Sequence, residues 1–106
     1  MTYTPEQLQA MHNWIALNVM EYRPNLKSYF GNLGFVITKE DFKPDEDANQ
    51  MLMALDTFEY CRILRRRPDR NWRCALMVDG ELYIGEDKSL GLAALVAMCR
   101  ASGMPE

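Results

Sequence analysis

The sequence predicts an α+β fold, a three-stranded antiparallel β-meander packed with three helices in the order α-α-β-β-β-α. Apolar residues recur every three or four positions near the start, the middle and the end of the chain, which is the period of an amphipathic helix. Between residues 60 and 84, β-favouring stretches alternate with turn residues, as in consecutive strands. With 106 residues, 48% of them hydrophobic, the chain suffices for one core, so we expect a single domain over residues 1–106.

The first helix is predicted from its start signal and its apolar stripe. Thr4 precedes a proline at the first helical position and stands three residues before Gln7, which is the pattern of a capping box. Pro24 stops the helix, which should therefore end near Tyr22. The stripe consists of Leu8, Met11, Ile15, Val19 and Tyr22. His12, the only histidine, lies on this helix, and we expect it at a solvent edge or a helix boundary.

Residues 24–44 are predicted to form a long connection with one edge strand at residues 35–38, because glycine, asparagine and proline interrupt the rest. A second helix should follow, capped by Asp45 or Asp47, with its apolar face formed by Ala48, Met51, Leu52 and Leu55. Strands are predicted at residues 60–65, 72–78 and 82–84, the last two joined by a tight turn at Asp79-Gly80. Ser89 caps the last helix, which ends at Gly103.

The residues that usually mark catalysis or metal binding are sparse. Cys61, Cys74 and Cys99 lack metal-ligand spacing and lie among apolar residues, so we interpret them as reduced packing cysteines. Nothing in the sequence couples His12 to a nucleophile, and the acidic residues 40–47 do not match a calcium loop. There is no glycine-rich phosphate loop, zinc pattern or dinucleotide fingerprint. We therefore expect no catalytic residue, no metal and no cofactor, and a protein that is not an enzyme; the alternative is a small hydrolase that uses His12 and a cysteine.

The strongest clue to function is a segregation of charge. The formal net charge is −3, yet residues 62–73 contain six arginines and one aspartate, so this arginine segment has a charge of +5 and the remainder −8. Guanidinium groups bind phosphate and carboxylate groups, and Trp72 and Tyr60 can add stacking or cation–π contacts. The candidate binding residues are Arg62, Arg65, Arg66, Arg67, Arg70, Trp72 and Arg73. A solvated hairpin without a binding role would show the same pattern.

Three local patterns resemble the phage ABA sandwich domain family and together extend along most of the chain. Residues 15–22 look like the family's first helix, with Glu21 where glycine is usual, and residues 42–48 are similar to its approach to the second helix, without the usual Ser-Thr. Residues 90–101 look like its last helix, in which Cys99-Arg100-Ala101 matches directly. The resemblance implies a phage or prophage origin and helices packed around an antiparallel sheet. It implies no activity, because the family has no established shared reaction.

We therefore expect a small phage accessory protein that binds a host or phage protein through the arginine segment. The alternative is a nucleic-acid-binding module that uses the same residues on RNA or DNA. The chain has no apolar run of the roughly 18–20 residues that a membrane span requires and no signal-peptide pattern, so we expect a cytoplasmic protein without a membrane partner. A homodimer is a further option, because an edge strand can pair across a two-fold axis.

Overall fold

The three helices begin at residues that cap them. In the computed structural model, which describes residues 3–65 and 69–105, the side chains of Thr4, Asp47 and Ser89 each accept a hydrogen bond from a backbone N–H of the first turn. Asp47 rather than Asp45 caps the second helix. The helices are α1 (Pro5–Asn18), α2 (Ala48–Leu55) and α3 (Leu90–Ala101).

Helix α1 ends four residues earlier than predicted. Glu21 adopts a left-handed backbone with a φ of 58°, which reverses the chain so that the Tyr22 N–H donates to the carbonyl of Ala16. Tyr22 therefore leaves the helix and joins an aromatic cluster with Tyr29, Phe35 and Phe42. The helical spacing of Tyr22 was thus a coincidence, and its burial comes from contacts with the connection that follows.

The connection forms a small antiparallel sheet that sequence reasoning missed. Its strands are β1 (Arg23–Pro24), β2 (Ser28–Phe30) and β3 (Val36–Thr38), of which only β3 was predicted. The Tyr29 side chain is buried and its hydroxyl donates to Oδ1 of Asn13 on α1. Tyr29 also packs edge-on against Phe42. These contacts hold strands that are too short to be stable by themselves.

The larger sheet is the predicted β-meander. Its strands are β4 (Tyr60–Arg65), β5 (Trp72–Val78) and β6 (Glu81–Asp87), in the order β4-β5-β6, with β5 in the centre. Asp79 and Gly80 form the turn between β5 and β6, and both have a positive φ, of 52° and 82°. That backbone suits a two-residue hairpin turn. The predicted α+β fold is confirmed, with a second sheet added.

Helix α3 lies at the centre of the core. Seven consecutive residues, 93–99, are buried, because β5 and β6 cover one side of the helix while α1 and α2 pack against other sides. Gly85 on β6 permits this close approach: a Cβ there would lie 2.1 Å from the carbonyl oxygen of Ala93 and 2.6 Å from the nitrogen of Ala97. Because α3 packs chiefly on β5 and β6, the edge strand β4 lies at the margin of the core.

Candidate binding surface

One face of the larger sheet is left without a covering layer. Cys74 and Leu76 are buried on the face that contacts α3, so the alternating residues of each strand lie on the opposite, outer face. Four of its apolar residues are 38–52% exposed, and sequence reasoning overlooked three of them, Leu64, Met77 and Leu82. The cross-strand register arranges the outer face in three rows: Tyr60, Met77 and Leu82; Arg62, Ala75 and Ile84; Leu64, Arg73 and Glu86.

The arginine segment divides between the two faces of this sheet. Arg62 and Arg73 lie on the outer face, where Arg62 stands beside the exposed apolar residues. Arg65 lies opposite Trp72 on the other face, with its guanidinium carbon 5.4 Å from the centre of the indole ring. Arg70 is exposed in the loop between β4 and β5. Arg66 and Arg67, which we also predicted as binding residues, lie outside the described residues.

Arg73 is less available than the other described arginines. Its Nη2 lies 4.0 Å from Oε1 of Glu86 on the neighbouring strand. Its Nε is buried and has no hydrogen-bond partner within the described part of the chain. Arg62, Arg65 and Arg70 are exposed, so these three are the described arginines of the segment that are best placed to reach another molecule.

The two ends of the larger sheet have opposite charge. Arg65, Arg70 and Arg73 lie at the end of the sheet where β4 finishes and β5 begins. At the other end a groove of about 630 Å³ lies between the ends of α1 and α3, the start of β4 and the β5–β6 turn. Its acidic lining residues are Glu21, Glu59 and Asp79. The corner of the larger sheet formed by β4 and β5 is therefore basic, with Glu86 and Asp87 beside it on β6, and the opposite end is acidic, a distribution that orients an approaching charged molecule.

His12 is not at a solvent edge, contrary to our expectation. Its Nε2 lies 2.5 Å from Oδ1 of Asp45, and the two side chains are only 11% and 8% exposed. The first turn of α3 packs directly on the Asp45 backbone, since a Cβ on Gly91 would lie 1.7 Å from the carbonyl oxygen of Asp45. Burial is the largest single effect and raises the pKa of Asp45, but the hydrogen bond and Coulombic attraction from His12, with smaller contributions from a backbone hydrogen bond and from Lys43, together lower the pKa. This pair links α1 to the segment that precedes α2.

The cysteines differ in their exposure. Cys74 and Cys99 are packing residues, as predicted, and burial raises the pKa of each to about 12, with the neighbouring Cys61 thiol adding to the effect on Cys74. Cys61 is exposed on β4, so its interpretation as a packing cysteine was wrong. The alternation of a strand could not reveal this, because Cys61 lies on the core side of a strand that α3 barely covers.

We expect a disulfide reagent such as DTNB to modify Cys61 alone in the folded protein at mildly alkaline pH. Thiolates are the reactive species, and the raised pKa and burial of Cys74 and Cys99 protect those two thiols. Unfolding in urea should expose all three thiols, and a Cys61→Ser variant should remove the fast reaction. Rapid modification of a second thiol in the folded protein would contradict the observed burial.

Neither a metal site nor a membrane span emerges from the described residues. Within residues 3–65 and 69–105, no three His, Cys, Asp or Glu side chains lie close enough together to hold a metal ion. Across the same ranges, no helix combines the length and the apolar character needed to cross a bilayer.

Comparison with known proteins relates the fold to a phage protein. No protein-family model matches the chain, and no curated protein is significantly similar to it in sequence. Among solved structures, the chain is similar to a phage protein from Bacillus cereus ATCC 14579, with a TM-score of 0.78 at 7% sequence identity. The superposition covers 100% of this chain and 96% of the other. The chain thus shares the fold of a phage protein, which is the part of the predicted family resemblance that the comparisons support.

Proposed function

We propose that the protein is a non-enzymatic accessory protein of a phage or prophage that binds an acidic surface of a host or phage protein. The proposal places this activity in the cytoplasm of the bacterial host. The observation that carries it is the outer face of the larger sheet, where Arg62 lies between exposed Tyr60 and Leu64 on β4, and exposed Met77 and Leu82 continue the row of Tyr60 across β5 and β6. Aromatic, methionine and arginine side chains are enriched at protein interfaces, and exposed apolar patches of this kind commonly mark them.

The charge of the neighbouring residues favours an acidic partner. Arg65 and Arg70 are exposed at the same end of the sheet, next to Arg62 and the partly paired Arg73. The rest of the chain is acidic, so an acidic partner would be attracted to this end and repelled elsewhere. Electrostatic complementarity would then set the orientation of the complex, while the apolar residues of the outer face would supply the buried contact.

A charge-reversal experiment tests this proposal. The wild-type protein, an Arg62→Glu/Arg70→Glu variant and an Arg23→Glu/Lys27→Glu control would each be used to capture proteins from host lysate, with the captured protein then purified for direct titration. The control makes the same change in charge at exposed residues near the small sheet. We expect the first variant to bind at least roughly tenfold more weakly, because a hydrogen bond to a charged group contributes about 1.5–3 kcal/mol. Equal affinity for all three proteins would exclude the arginine segment as the contact.

Nucleic-acid binding is the second candidate, favoured by the exposed Tyr60 ring on the same face as Arg62, where a base could stack. Trp72 is less suited to stacking, since it is half-buried and Arg65 already covers its ring. Fluorescence anisotropy of labelled single- and double-stranded RNA and DNA across a salt series separates the two candidates. Affinity that falls steeply with salt would favour nucleic acid, because phosphate contacts release counterions. No binding at low salt would leave the protein partner.

A further inference from the structure

Strand β4 is an edge strand of the larger sheet, and within the described residues no other strand pairs with its free side. Five of its six residues are exposed, and the sixth, Ile63, is half-buried. Its exposed residues include the large apolar side chains of Tyr60 and Leu64. An exposed edge strand with apolar residues is a template for pairing with another strand, and natural proteins usually shorten, bend, cover or charge such edges. On β4 the charged residues are Arg62 and Arg65, so pairing needs a register that keeps the two copies' arginines from lying directly opposite each other.

The turn between β5 and β6 determines which backbone groups of β4 point outwards. The two residues that flank a two-residue turn, here Val78 and Glu81, form a hydrogen-bonded pair, and such pairs then alternate along the ladder. Neighbouring residues of the central strand β5 bond to opposite strands, so those that do not bond to β6 bond to β4. Their partners on β4 are Tyr60, Arg62 and Leu64, whose backbone groups therefore point towards β5. The backbone N–H and C=O groups that point away from β5, in the plane of the sheet, therefore belong to Cys61, Ile63 and Arg65; these are called the outward groups of β4.

The opposite edge of the sheet provides a check on this alternation. The same rule directs the carbonyl of Ile84 on β6 outwards, and Nη1 of Arg100 donates a hydrogen bond to that oxygen at 2.6 Å. The β6 edge is thus partly covered by a side chain of α3. For β4, no hydrogen bond within residues 3–65 and 69–105 reaches the outward backbone groups.

The residues of β4 complement one another in one antiparallel register. About a two-fold axis normal to the sheet, opposite residues must lie on the same face, so their numbers differ by an even number. Centring the pair on Ile63 places Cys61 opposite Arg65, Arg62 opposite Leu64, and all three outward residues in hydrogen-bonded pairs. Centring it on Arg62 would place the two Arg62 side chains directly opposite each other, which is destabilising, whereas centring it on Ile63 leaves them diagonally opposite and farther apart.

The same register brings opposite charges together. Glu59, which directly precedes β4, would come diagonally opposite the second copy's Arg65, within reach of a long side chain. The two-fold axis repeats this contact, so the acidic end of each sheet would lie beside the arginines of the other.

We propose that the protein forms a two-fold homodimer in which β4 of each copy pairs antiparallel about Ile63, joining the two larger sheets into one six-stranded sheet. The interface consists mainly of backbone hydrogen bonds and a narrow strip of side chains, so the dimer dissociates on dilution. The two outer faces become one continuous surface with an arginine segment at each end. This goes beyond the proposed function and does not depend on it.

Site-specific cross-linking tests the register. Cys74 lies directly opposite position 63 on β5 and could form a disulfide within one copy, so the background is Cys61→Ser/Cys74→Ala. In this background, Ile63→Cys places two sulfurs directly opposite across the axis, where the Cα separation of about 5.5 Å for a hydrogen-bonded pair suits a disulfide. Matched Arg62→Cys and Leu64→Cys variants place each sulfur opposite a different residue. Mild oxidation should convert the Ile63→Cys protein to a covalent dimer at least about tenfold faster than either control. Equal rates for all three variants, or no cross-link at Ile63→Cys, would overturn the proposal.

Sedimentation equilibrium tests the association itself, with a monomer mass of 12.3 kDa. We expect Glu59→Arg and Arg65→Glu each to weaken dimerisation by roughly five- to tenfold, and the double variant to recover most of the loss, because the pair is restored with its charges exchanged. Ile63→Pro removes an outward N–H without removing a bond to β5 and should yield a monomer. Circular dichroism would establish that each variant is folded. A wild-type monomer at millimolar concentration, or a dimer unaffected by Ile63→Pro, would refute the proposal.

Discussion

Replacing His12 with leucine is expected to lower the free energy of unfolding by about 3–5 kcal/mol, because it leaves the Asp45 carboxylate buried without its partner. The Asp45 side chain is only 8% exposed, so water cannot replace the lost contact in full. Urea unfolding at neutral pH would measure the change. The matched control is Glu46→Gln, since Glu46 pairs with Lys43 at 3.7 Å but its side chain is 68% exposed. That control should change stability by less than about 1 kcal/mol.

The pair also predicts how stability depends on pH. In the folded protein the pKa of Asp45 lies below its ordinary value of 3.8, since the interactions with His12, together with smaller ones from a backbone hydrogen bond and Lys43, outweigh the opposing effect of burial. A carboxyl whose folded pKa is depressed stabilises the fold fully above its unfolded pKa, and this stabilisation is lost as the pH falls through the folded value. In the His12→Leu protein the interactions with His12 no longer oppose burial, so the pKa of Asp45 should move upward. The loss of stability in acid should then become shallower. An unchanged acid profile would show that His12 does not hold the charge of Asp45.

Gly85→Ala is expected to destabilise the protein by about 3 kcal/mol or more, at or above the upper end of the range for overpacked cores. The added methyl would lie 2.1 Å from the carbonyl oxygen of Ala93, which is backbone of α3 and cannot rotate away. The helix must therefore shift from the sheet and loosen contacts along the buried residues 93–99. Thermal or urea unfolding would measure the loss.

A neighbouring substitution on β6 provides the control for Gly85→Ala. Leu82 is 52% exposed on the outer face, so Leu82→Ala should cost less than about 1 kcal/mol despite removing more atoms. If Gly85→Ala were as stable as the wild type, α3 would not pack as closely on β6 as the structure indicates.

The parts of the fold that depend on residues close together in the sequence were predictable. Thr4 and Ser89 begin their helices because a side-chain oxygen and a backbone N–H three residues later suffice to form the cap. Asp79 and Gly80 join two strands because both residues tolerate a positive φ. Arg62 and Ile63 lie on opposite faces of β4, as side chains alternate along any strand. The small sheet was not predictable in this way, since β1 and β2 have too few residues to show a pattern and are held by aromatic contacts from elsewhere.

The candidate site was predicted as a set of residues but not as a surface. The sequence identified the concentration of arginines, yet it did not indicate that Arg65 lies over Trp72 while Arg62 lies among exposed apolar residues. Leu64, Met77 and Leu82 have the spacing of ordinary strand residues, and only the position of α3 on the other face leaves them exposed. Burial depends on what covers a strand, which its own alternation does not specify.

By itself, the sequence determined the α+β fold, the three helices, the β-meander and the segregation of charge, because caps, periodicity and turn chemistry act over a few residues. The tertiary structure alone decided that His12 is buried against Asp45, 33 residues away, and that Asp47 rather than Asp45 caps α2. It also decided that β4 remains an open edge with an uncovered outer face. These features arise where distant segments meet, and the contacts that select among such arrangements leave no local pattern in the chain.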